Sequence, residues 1–191
     1  MQALVEAGLP VSAVLSNRGD ATGLQYAQAK GIATAVVEHR AFAERAAFEA
    51  ALDREIARFT PRLVALAGFM RVLSPAFVER YRYRMLNIHP SLLPAFAGLD
   101  THARALAAGV KVHGCTVHFV TAELDGGPIV IQAALPVRAE ERADQLAARV
   151  LRQEHVVYPR AARWFLEDRL VIQDGVVRVK GNDAQLVLAA D

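Results

Sequence analysis

Cys115 is the only cysteine among 191 residues. An internal disulfide is therefore excluded, and so is a metal site built from paired cysteines. Set in an apolar run, the thiol reads as a buried inert group rather than a nucleophile, and a reducing cytoplasm suits it. No apolar stretch reaches the roughly 18 residues of a membrane span. Charge of one sign is also lacking: 22 Lys and Arg stand against 20 Asp and Glu, with arginines scattered through helical segments. Nucleic acid and membrane surfaces are thus not expected partners, whereas a small anionic ligand is compatible. Glu6 precedes any Lys or Arg, so the start does not read as a secretory leader. With 53% hydrophobic and 22% charged residues and no low-complexity segment, residues 1–191 are expected to form one soluble domain with a sizeable core.

What is present alternates strand and helix. Residues 11–15 read as a strand closed by the turn Ser16-Asn17-Arg18-Gly19-Asp20, residues 24–31 as a helix stopped by Gly31, and residues 32–37 as a second strand. The spacing of Phe42, Ala46, Leu52, Ile56 and Phe59 predicts an amphipathic helix over residues 42–59, followed by a strand at 62–67. Ser74-Pro75 marks a helix start, with Ser as N-cap and Pro at the first position. Strands are expected at 85–88, 112–120 and 129–137, and helices at 101–108 and 143–166, the last interrupted or loosened near Pro159. Asp174-Gly175 sits between two β-rich halves of a hairpin at 170–179. The tail beyond carries no signal.

This order predicts an α/β fold with a doubly wound, mostly parallel sheet and ligands at the carboxyl ends of the strands. In such folds the first strand is usually central, yet residues 2–7 already read as helix. A missing central strand leaves backbone groups unpaired on both neighbours, a large cost beside a net stability of about 5–15 kcal/mol. The numbered chain is therefore expected to begin inside the natural domain.

The chemistry concentrates in two runs, Leu86-Asn87-Ile88-His89-Pro90-Ser91-Leu92-Leu93-Pro94 and Glu123-Leu124-Asp125-Gly126-Gly127-Pro128. His89 has the side chain whose ordinary pKa lies nearest neutrality. An isolated histidine is more often a satisfied core residue, but Asn87 shares its strand face and two prolines stiffen the following loop. Asn87 can donate to an oxyanion and accept from an amine. Asp125 could be only the front of a tight turn; close to His89 it would favour and orient the charged imidazole. His102, His113, His118 and His155 form no ligand motif, so no metal is expected. Ser91 lacks a Gly-x-Ser-x-Gly elbow and reads as a loop brace. Together the two runs suggest acyl transfer.

These runs, with Leu66-Ala67-Gly68-Phe69-Met70-Arg71-Val72-Leu73-Ser74-Pro75 and Gln153-Glu154-His155, resemble the folate-dependent formyltransferases through nearly the whole chain. The resemblance implies a Rossmann-like fold and transfer of a formyl group from 10-formyltetrahydrofolate, a co-substrate, to the amine of phosphoribosylglycinamide without a metal. It assigns catalysis to Asn87, His89 and Asp125, with Asn87 and protonated His89 on the oxyanion and Asp125 raising the histidine pKa. It assigns folate contacts to Arg45, Met70, Arg71, Val72, Leu73 and Asn87, and the glycinamide part of the acceptor to Glu154. Plain loop residues at 70–73 and solvated helix charges at Arg45 and Glu154 are the alternatives. Two departures stand out: the family's opening strand and its Gly-Ser-Asn phosphate loop have no counterpart here, and Ala97 replaces a common Pro. Formyltetrahydrofolate hydrolysis and a non-catalytic folate-binding remnant are the competing functions. A tRNA substrate is disfavoured by length and by near-neutral charge.

Overall fold

The computed structural model describes residues 1–189. In chain order the elements are α1 (Gln2–Glu6), β1 (Ala13–Ser16), α2 (Thr22–Ala29), β2 (Ala33–Val36), α3 (Arg45–Ala57), β3 (Val64–Leu66), α4 (Pro75–Arg80), β4 (Met85–His89), α5 (Thr101–Ala107), β5 (Val112–Phe119), β6 (Ile129–Pro136), α6 (Ala143–Leu166), β7 (Leu170–Gln173), β8 (Val176–Val179) and β9 (Leu186–Leu188). Local signals place their ends. Ser74 Oγ accepts from the Phe77 N–H at 3.3 Å with Pro75 in the first turn, and Gly31 takes φ +70° just past α2. At the β7–β8 turn Asp174 and Gly175 both have positive φ, as a two-residue hairpin turn requires.

The central sheet has the order β3-β4-β5-β6-β9. β3 runs parallel to β4, β5 is antiparallel to both neighbours, and β9 is parallel to β6. Only β5 is therefore reversed, and the sheet is mostly parallel. Along β4 the side chains alternate between two cores. Leu86 joins the cluster under α6 with Val117, Ile131, Val150 and Trp164, whereas Met85 joins Ile56, Phe77 and Tyr81 under α3 and α4. Asn87 and His89 share the parity of Met85.

Two readings change. The 24-residue α6 runs unbroken through Pro159. A proline inside a helix costs about 3 kcal/mol, but Leu146, Val150, Val157, Tyr158 and Trp164 are buried along the same helix, each contributing about 1.5–3 kcal/mol. Packing outweighs the local defect. The 42–59 helix is shorter than its pattern, spanning Arg45–Ala57 after a 3-10 turn at His39–Ala41.

Among the described residues β1 pairs only with β2, and β3 only with β4. Between these open edges lies an opening of about 530 Å³, lined by Val14, Leu15, Leu52, Ile56, Ala65 and Leu66 among others.

Candidate active site

β4 ends in Asn87-Ile88-His89, and β5 runs beside it in antiparallel register, with Asn87 opposite His118 and His89 opposite Thr116. The chain then leaves β4 in a loop bolted to β5. Thr116 Oγ1 donates to the Ser91 carbonyl at 2.7 Å and accepts from the Leu93 N–H at 3.0 Å, and Gln132 donates to the Leu93 carbonyl at 2.9 Å. Ser91 braces the loop from within, its hydroxyl donating to the Ala95 carbonyl at 2.6 Å. Arg104 on α5 closes the far side on the carbonyls of Ala97 and Leu99. The loop thus delivers a fixed backbone to His89.

Asp125 arrives from the β5–β6 connection. Its φ of +53° is a left-handed conformation that Asp tolerates better than most residues. Gly127 permits the close return, since a Cβ there would lie 1.8 Å from the Phe119 carbonyl oxygen. The Asp125 carboxylate accepts from the Gly98 N–H at 2.9 Å and lies 3.4 Å from His89 Nδ1 and 3.8 Å from His118 Nε2. On its other edge His89 Nε2 donates to the Phe96 carbonyl at 3.1 Å. Both ring nitrogens of His89 therefore face acceptors. Asn87 and His89, two residues apart on β4, thus meet a carboxylate that lies more than 30 residues further along the chain.

Asn87 and Asp125, but not His89, line a cleft of about 90 Å³ together with Arg71, Val72, Leu73 and His118 among others. Its loop is held at one end by Glu49 of α3. The buried carboxylate of Glu49 accepts the Ser74 N–H at 2.7 Å and the Ser74 hydroxyl, in front of α4. Arg71 stacks over the Phe48 ring. Of the other expected folate contacts, Met70 is 79% exposed and does not line the cleft, and Arg45 lies 3.9 Å from Glu49 instead. Glu154 sits on α6, where burial raises its carboxyl pKa. Cys115 is buried, and burial pushes its thiol up to about 12. Among the described residues no three His, Cys, Asp or Glu side chains are grouped to hold a metal.

Sequence reasoning weighed His118 only as a metal ligand, and it missed the Gly98 amide and Glu49. The strand alternation of Thr116 and His118 could have pointed to a shared face with Asn87; nothing local marked the other two.

The fold and the convergent amide, imidazole and carboxylate define an α/β enzyme class suited to acyl transfer. The chain belongs to the formyl transferase family, which matches residues 2–162. Over 171 residues it is 50% identical to the phosphoribosylglycinamide formyltransferase of Escherichia coli (strain K12), covering 90% of this chain and 81% of that one. The crystal structure of phosphoribosylglycinamide formyltransferase from Anaplasma phagocytophilum superposes with a TM-score of 0.93 at 39% identity, over 99% of this chain and 92% of that one. A formyltetrahydrofolate deformylase from Pseudomonas syringae is less similar, with a TM-score of 0.84 at 28% identity, over 93% of this chain and 61% of that one.

Proposed function

We propose that the chain transfers the formyl group of 10-formyltetrahydrofolate to the amine of phosphoribosylglycinamide, a step of purine biosynthesis, as one catalytic domain in the cytoplasm, with small molecules as its partners. The observation that carries this reading is the meeting of Asn87, His89 and Asp125 beside the cleft at the ends of β4 and β5. The amine attacks the formyl carbon and the carbonyl oxygen becomes an oxyanion, which Asn87 Nδ2 and protonated His89 stabilise by donating hydrogen bonds. At 3.4 Å the contact of His89 Nδ1 with Asp125 is looser than the contact of Nε2 with Phe96. Nδ1 is thus the freer proton source. As the tetrahedral intermediate collapses, the C–N10 bond breaks, N10 of the folate takes a proton, and the amine has lost one; Asp125 and His89 relay it. Arg71, Val72 and Leu73 border the folate, Met70 and Arg45 act further out, and Glu154 serves the acceptor side.

The test is tetrahydrofolate release from 10-formyltetrahydrofolate with and without phosphoribosylglycinamide. Release that depends on the acceptor is the expected result. Release at the same rate without acceptor would replace transfer by hydrolysis, and no release in either case would leave a binding protein.

A further inference from the structure

His118 lies on β5, buried and directly opposite Asn87 on β4. Its Nδ1 is 2.9 Å from the Phe119 carbonyl oxygen. A carbonyl has no proton to give, so Nδ1 carries the ring hydrogen and donates it. In the neutral ring Nε2 is then a bare acceptor. It stands 3.2 Å from Asn87 Nδ2. Only the NH₂ end of the Asn87 amide satisfies it, because the reverse orientation would set two acceptors against each other in a buried place, and the orientations should differ in population by about tenfold or more.

We propose that His118, held as the neutral Nδ1–H tautomer, is a positioning residue that fixes the amide of Asn87, leaving the second Nδ2 hydrogen to the oxyanion and Oδ1 to the incoming amine. This deepens the reading of the site as a formyl-transfer centre and rests on it. The charged and titratable groups around the ring are Asp125, with Oδ1 3.8 Å from Nε2, and His89 on the neighbouring strand. Burial is the largest influence and lowers the His118 pKa, with His89 adding to it, while the Phe119 carbonyl and Asp125 act in the opposite direction. A proton on Nε2 would face the Asn87 NH₂ with a second donor and turn the amide round.

The side-chain lengths of Gln and Asn separate the two ring nitrogens. In His118→Gln the amide oxygen reaches the place of Nε2 and can accept from Asn87, whereas in His118→Asn the amide lies near Nδ1 and leaves Asn87 without its partner. Expected are a kcat about 10- to 100-fold lower in His118→Asn with the folate KM within about threefold, and recovery to within about fivefold in His118→Gln. With Asn87→Ala already present, His118→Asn should lower kcat by less than about threefold. Equal losses in the Gln and Asn variants, or a full loss added to Asn87→Ala, would overturn the proposal. A readout independent of turnover is ¹⁵N NMR of the full chain near neutral pH. It should show protonated Nδ1, bare Nε2, and an Asn87 side-chain amide signal that shifts in His118→Asn; an Nε2–H tautomer or a charged ring would overturn the assignment. Should the wild-type chain show no acceptor-dependent transfer while these signals appear, the functional reading fails and the pairing of His118 with Asn87 stands.

Discussion

The two openings in this molecule differ in size and in chemistry. The one between β1 and β3 is about 530 Å³ and bordered largely by aliphatic side chains, whereas the cleft beside Asn87 and Asp125 is about 90 Å³. β1 and β3, which flank the larger space, are paired on one side only among the described residues and are half-buried. Asn87 and His118 at the smaller one stand on β4 and β5, which are paired on both sides, and β5 is buried along almost its whole length. The two spaces share Leu66, Phe69 and Leu73 in their walls and differ in the side chains beyond them. Preorganised donors and acceptors need rigid strands beneath them, and the β4–β5–β6 half supplies that rigidity.

The sharpest way to break the contrast is at the cleft. His89→Ala and Asp125→Ala should each lower kcat by about 10²- to 10⁴-fold while folate binding, measured by calorimetry, stays within reach of the wild type. If binding falls as steeply as turnover, both residues are structural.

Acid should weaken the rigid half next. Burial depresses the His113 pKa to about 4, and it lowers that of His102, whose Nδ1 is 3.2 Å from His113 Nε2. The unfolded chain binds the proton near the ordinary value of about 6.5, so stability is complete above that pH and is lost as pH falls toward 4. For His113 the loss by pH 4.5 should be on the order of 2–3 kcal/mol. Urea midpoints between pH 7 and 4.5 measure it, and His113→Gln should flatten the profile.

Glu49 links α3, which borders the larger opening, to the loop beside the cleft. Glu49→Ala strands the Ser74 amide and hydroxyl and should cost about 2 kcal/mol of stability together with a severalfold rise in the folate KM at nearly constant kcat. A stability loss with unchanged KM would separate the two regions. The smallest effect belongs to the larger opening: Ala65→Val adds apolar volume there and should stabilise by about 1 kcal/mol in urea unfolding. Destabilisation would mean that the added methyl groups meet the core under α6, against which Ala65 also packs, rather than the opening.

Much of this was legible in the chain. Ser74-Pro75 and Asp174-Gly175 announce their elements because caps and tight turns are local, and the sheet's parallel character follows from the alternation of strands and helices. Pro159 misled because its cost is local and its compensation is spread along a buried helix face. β9 went unseen because three residues carry no periodicity; its partner β6 lies more than 50 residues upstream.

By itself the sequence determined the family and the alternating α/β order, and it singled out Asn87, His89 and Asp125 as candidates, all through short runs in which neighbouring residues speak to one another. Only the tertiary structure decided that His118 faces Asn87, that the Gly98 amide holds Asp125, and that Glu49 secures the loop at Ser74. Each of these depends on the register and approach of elements far apart in the chain, which no local pattern encodes.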